Sequence, residues 1–149
     1  MEFLFSDQAR DRDLTYVVVV SREDGKWLLC HSDEERWVFP AGPRKPDERI
    51  YQTAQRLLRE KAGVTDAQLE PVTAYSLSHV EEERASGALL FAEVRDRGAV
   101  EGAEVQLLDT SASKSLLPAV QVGLLEKTQQ WLDEGGFFPE EEVLFGIMF

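Results

Sequence analysis

Ile50, Ala54, Leu57 and Leu58 fall at offsets of 0, 4, 7 and 8, which places them on one face of an α-helix. No other feature constrains the fold as much, because the segments on either side read as strands. Pro46 and Asp47 suit the helix's first turn, with Asp47 as the expected N-cap, and Gly63 is placed to end it in a left-handed conformation. A single amphipathic helix set among strands must lay its apolar face on a sheet.

Upstream, LTYVVVVS (residues 14–21) is β-branched and almost continuously apolar, the pattern of a strand buried on both faces. Asp24-Gly25 signals a hairpin turn into the return strand KWLLCH, and the acidic turn SDEER leads to the short strand WVFP. Downstream, TAYSLSHV and GALLFAEV flank the turn EEERAS, and AEVQLLDT is a weaker strand. LLPAVQVGLLEKTQQWLDEGG reads as a second helix from near Pro118 to Gly135 or Gly136, with Val122, Leu125 and Trp131 turned to the sheet. The expected class is α/β in the α+β sense, with a mixed sheet. Residues 1–136 read as one domain. Residues 137–149 form a tail whose Phe137, Phe138, Phe145, Ile147, Met148 and Phe149 need cover, from the domain itself or from a partner subunit in a homodimer.

The 149 residues carry 16 basic and 28 acidic side chains, a formal net charge of −12. Such a surface repels nucleic-acid polymers, whose binding depends on Lys and Arg displacing counterions. No apolar run reaches membrane-spanning length, so no membrane partner is expected. The N-terminus lacks the basic and apolar regions of a secretory signal, and the lone Cys30 excludes an internal disulfide; the expected location is the cytoplasm. His31 and His79 stand alone, without ligand spacing for zinc.

The stretch AGPRKPDERIYQTAQRLLREKAGV (residues 41–64) resembles the Nudix box, and the chain is similar to the small MutT-like Nudix hydrolases. Gly42 takes the first glycine of that pattern, Glu48 the first glutamate, Arg56 the arginine, Leu58 the first aliphatic residue, Glu60 one of the paired glutamates and Gly63-Val64 the close. WVFPAG just upstream is similar to the family's lead-in, with Ala41 in place of a glycine, and the resemblance covers roughly residues 15–132. It implies a mixed sheet sandwiched between helices, and hydrolysis of a nucleoside diphosphate linked to another group with Mg²⁺ or Mn²⁺. Leu57 and Lys61 depart from the pattern, standing where the family has glutamates, so the box is degenerate. Three glutamates would carry about −3, whereas Leu57, Glu60 and Lys61 sum to about zero.

The candidate residues follow from this. Glu60 is the one remaining helix ligand, a weak one, or else the i+4 partner of Arg56, itself a candidate for the chemistry. Glu48 and Arg56, eight residues apart, read as an ion pair that fixes loop to helix, while Gly42, Leu58 and Gly63 serve the frame. Arg36, Arg44 and Lys45 form a local basic cluster able to receive phosphate, and Lys61 is either a cation in place of the metal or a solvated lysine. Replacement acids are sought at Glu81–Glu83 and Glu93, and base-stacking rings at Trp37, Tyr75 and Phe91, all of which also suit surface or core positions. Three functions remain open: a divergent hydrolase acting on a small phosphorylated ligand, an inactive nucleotide-binding or regulatory domain with no metal, and an interaction domain using the tail.

Overall fold

The computed structural model describes residues 2–6, 13–31, 35–77 and 86–137. In chain order these form β1 (Phe3–Ser6), β2 (Tyr16–Glu23), β3 (Lys26–His31), β4 (Trp37–Val38), β5 (Ala41–Pro43), α1 (Ile50–Ala62), β6 (Val64–Leu77), β7 (Ser86–Arg97), β8 (Val105–Leu108), α2 (Thr110–Leu116) and α3 (Ala119–Asp133). One sheet runs β1-β6-β7-β2-β3-β4, with β5 also on β2 and β8 also on β3. β2 and β7 pair in parallel, from Val17 opposite Ala88 to Arg22 opposite Glu93, and the other pairs are antiparallel. The sheet is therefore mixed, as expected.

The parallel pair explains the apolar run in β2. Val17 and Val19 pack with Ile50, Ala54, Leu57 and Leu58 of α1, whereas Val18 and Val20 pack with Leu124 and Leu125 of α3. Alternate side chains of one strand thus enter two cores, and neither face tolerates a polar residue without a partner. Ser21, fully buried, donates its hydroxyl to the Leu28 carbonyl at 3.1 Å. Across the second core, the Phe39 amide donates to Gln121 Oε1 at 2.7 Å, tying the strand before the box to α3.

Several boundaries differ from expectation. α1 begins at Ile50 rather than near Asp47, and its N-cap is Arg49, whose amide donates to Gln52 Oε1 at 2.8 Å. β6 starts directly at Val64 and runs 14 residues, because Gly63 at φ 69° turns the chain back without a loop. Polar Thr65, Asp66 and Glu70 and the ring of Pro71 hide this length from any apolar alternation. α2 has no apolar periodicity and is set instead by Asp109, whose Oδ1 accepts from the Ala112 amide at 2.8 Å. Of the C-terminal tail, Phe137 folds back onto Phe91, ring centroids 5.0 Å apart; residues 138–149 lie outside the described residues.

The loop between β5 and α1 is held by one carboxylate. Glu48 Oε2 accepts from Arg56 Nε at 2.7 Å, and Oε1 accepts from Arg56 Nη2 at 3.0 Å, the Lys45 amide at 3.0 Å and Thr53 Oγ1 at 3.1 Å. Arg56 Nη2 also donates to the Pro43 carbonyl at 3.0 Å, so strand end, loop and helix meet at a forked, charge-assisted contact. Hydrogen bonding from Arg56, then from the Lys45 amide, holds the Glu48 carboxyl at about 2, below its ordinary 4.5. A carboxyl depressed in this way contributes stability that is complete above pH 4.5 and lost as pH falls towards 2. Glu48→Gln is therefore expected to melt several degrees lower at pH 7, with the gap from wild type closing as pH falls through that window. Thermal melts followed by circular dichroism at pH 7, 4 and 2.5 check this, and a gap independent of pH would count against the ion pair.

Candidate functional site

The candidate site is built where β5, the loop after it and α1 converge. β5 crosses β2 with Gly42 opposite Val17, which brings the Gly42 backbone beneath the second turn of α1. There it meets Leu57. A Cβ on Gly42 would lie 2.7 Å from Leu57 Cδ2, so the glycine is the condition for the leucine's seat. Leu57 is 1% exposed and joins the core of Val17, Val19, Leu28 and Leu90.

The other two positions of the expected acid cluster face water. Glu60 is half exposed, and Oε2 accepts from Arg56 Nη1 at 3.4 Å, a loose i+4 pair. Lys61 is exposed and forms no pair with Glu60. Its charge acts on buried Cys30, where desolvation outweighs it and the thiol is pushed up to about 11. Arg56 spends its guanidinium on Glu48, Glu60 and Pro43. The frame residues stand where the pattern requires. Leu58 is buried in the α1 core, and Gly63 accepts at its carbonyl from the Gly98 amide at 2.8 Å. A Cβ on Gly63 would run into the Gly98 carbonyl, so close approach as well as positive φ demands the glycine.

Mg²⁺ needs hard oxygen donors, one or two of them carboxylates free to turn to it. At positions 57, 60 and 61 the structure offers a leucine packed against Gly42, one carboxylate paired with arginine and one exposed lysine. Among the described residues no three of His, Cys, Asp or Glu converge to hold a metal. The box helix does not fit the ion.

The remaining candidates are dispersed. Arg36 and Lys45 are exposed, and Arg44 is half-buried with its amide on the Thr15 carbonyl at 2.8 Å. Glu93 pairs with Arg22 at 2.9 Å on the α3 face, the opposite side of the sheet from α1, so it cannot replace an acid at the box. Tyr75 and Phe91 are core residues, and Trp37 lies half-buried with its ring 5.1 Å from His31. His79 and Glu81–Glu83 lie outside the described residues. Two clefts flank α1 on its β6 side. One of about 310 Å³ is lined by Gln55, Leu58, Arg59 and Leu69, and one of about 380 Å³ by Leu14, Ile50, Tyr51, Pro71 and Thr73. Of the residues singled out from the sequence, Ile50, Leu58 and Val64 line these clefts, and none of the candidates for metal or phosphate contact does. Periodicity tells which helix face is buried, but not where the sheet beneath it leaves a gap.

Comparison with known proteins bears on this geometry. A Bacillus subtilis pyrophosphohydrolase superimposes with a TM-score of 0.67 at 21% identity, over 93% of this chain and 92% of that one. A C. elegans Ap4A hydrolase superimposes with a TM-score of 0.61 at 18% identity, over 83% of this chain and 99% of that one. At these identities the likeness shows the fold. The large ribosomal subunit protein mL46 of Neurospora crassa is 40% identical over 58 residues, which is 39% of this chain but only 14% of that protein. The model of the NUDIX domain matches residues 11–113, over two thirds of the sequence, and the chain belongs to the Nudix family.

Proposed function

We propose that this chain is a Nudix domain that has given up metal-dependent hydrolysis at its box helix and keeps the fold to bind a small phosphorylated ligand in a regulatory role. The ligand class is a nucleoside diphosphate linked to a second group. One observation carries the reading: Leu57, at 1% exposure, packs its methyl against Gly42, at a helix position where the resemblance calls for a metal-binding glutamate. Attack of water on a phosphorus ringed by anionic oxygens needs that charge offset and the water made more nucleophilic. A leucine supplies neither. Phosphate recognition needs only cations, and Lys45, Arg36 and Lys61 are exposed, with Arg44 half-buried next to Lys45 in the chain.

A second reading, that the domain is a component of a larger assembly, is favoured by the 58-residue similarity to a ribosomal protein. With a net charge of −12, its contacts would be to protein rather than directly to RNA. Co-sedimentation with ribosomal particles that persists at about 0.3 M salt is the outcome that would select this reading.

Incubation of purified protein with nucleoside triphosphates, ADP-ribose or dinucleoside polyphosphates, with Mg²⁺ or Mn²⁺, is expected to release no phosphate above a buffer blank. Calorimetry with ADP-ribose in EDTA is expected to show binding that weakens at least about tenfold, or about 1.4 kcal/mol, in Arg44→Ala with Lys45→Ala. Turnover that disappears in Glu60→Gln would overturn the non-hydrolytic reading and leave a weak, divergent hydrolase in its place.

The two departures from the box are also expected to differ in stability. Leu57→Glu forces a carboxylate into a filled core and is expected to cost about 3–5 kcal/mol. Lys61→Glu changes an exposed side chain and is expected to stay within about 0.5 kcal/mol. Urea unfolding of each variant measures both. A Leu57→Glu protein as stable as wild type would mean that the space beside Gly42 is open after all.

A further inference from the structure

We infer that the cleft of about 310 Å³ between α1 and the first half of β6 binds a zwitterionic small molecule, of the α-amino-acid class with an apolar side chain. The floor of the cleft is apolar: Leu58 of α1 is buried, and Ala67 and Leu69 of β6 are half-buried against the same core. The rim is polar and opposite in charge on its two sides. Gln55 and Arg59, one turn apart, stand on the helix wall, and Thr65 and Asp66 stand on the strand wall, all four exposed. An apolar body with a few converging polar groups is the usual form of a small-molecule site.

The charges on this rim are open. Elsewhere Arg22, Arg56 and Arg97 each hold a glutamate, at 2.9, 2.7 and 2.9 Å. Among the described residues neither Arg59 nor Asp66 forms an ion pair, although both line one cleft, and the Gln55 amide makes no side-chain hydrogen bond. A ligand that satisfies both walls presents a carboxylate to Arg59 and an ammonium to Asp66. The guanidinium suits the carboxylate, because its fork can donate to both oxygens. A phosphorylated ligand fits poorly, since its negative charge would meet Asp66. A purely apolar ligand would desolvate both charges without pairing either. The volume lies at the lower end for ligand sites, which suits a molecule of amino-acid size, and Leu58 and Leu69 offer methyl groups to an aliphatic side chain. Such a ligand is neutral overall, so the net charge of −12 does not repel it. Of the residues that line the cleft, only Leu58 and Val64 belong to the box pattern, and the inference does not rest on phosphate binding there.

Titration of nitrogen-15-labelled protein with L-leucine, followed by its backbone amide resonances, is expected to give saturable shifts centred on residues 55–69, with a Kd of about 1 mM. L-Leucine methyl ester lacks the carboxylate and N-acetyl-L-leucine lacks the ammonium; each is expected to bind at least about tenfold more weakly. Arg59→Gln is expected to weaken leucine by a similar factor and to leave the methyl ester unchanged. Asp66→Asn is expected to do the same for leucine and to leave N-acetyl-leucine unchanged. Both substitutions change exposed side chains, and circular dichroism is expected to match wild type. No saturable shift up to about 20 mM leucine, shifts centred on residues 41–48 instead, or equal affinity for the three compounds would each overturn the assignment.

Discussion

Parallel pairing of β2 with β7 is the constraint on which the rest of the molecule depends. A parallel pair has no tight turn to close it and must be covered on both faces, so helices are required on each side. Val17 to Val20 meet that requirement residue by residue, two side chains entering the core under α1 and two the core under α3. Once α1 is held on that face, the loop before it has to cross back under the helix. The Glu48–Arg56 fork sets that crossing, because one guanidinium reaches the loop carboxylate, the end of β5 and Glu60 together.

Where the sequence was legible, the reason was periodicity or an unambiguous turn. The faces of α1 and α3, the Asp24-Gly25 hairpin and the glycine stop at Gly63 all rest on spacing or on the φ freedom of glycine, with Asp24 and Gly25 both at positive φ. α2 was not legible, because its helix depends on the Asp109 cap and on Trp27 Nε1 donating to Thr110 Oγ1 at 3.0 Å, a contact 83 residues away in sequence. β1 was equally hidden, since four residues carry no period and only pairing with β6 makes them a strand. At the candidate site, the residues of the box could be named from spacing alone. Whether Leu57 pointed into the protein or into a cleft could not, as that depends on how closely Gly42 approaches.

Electrostatics sharpen the contrast between frame and chemistry. Between Arg44 and Lys61 stand six basic and three acidic side chains, in a chain whose net charge is −12. Glu48 and Glu60 are both engaged by Arg56, so the cations of this segment outnumber the acids free to oppose them. A segment with that balance attracts anions and repels divalent cations. Charge alone, however, only screens and steers, and would be undone by a few substitutions.

Packing constrains the segment more strongly, because it couples the identity of residue 57 to the stability of the fold. An exposed site residue can be exchanged at little cost, as Lys61 illustrates. Leu57 has no such freedom: it lies among Val17, Val19, Leu28 and Leu90, and its removal leaves either a cavity or a buried carboxylate. Gly42 is bound into the same contact, since any larger residue would displace the leucine. A position that resembles a metal ligand in its spacing is part of the core in its packing. Placing an acid there would require rebuilding the core beneath α1 as well as changing the side chain.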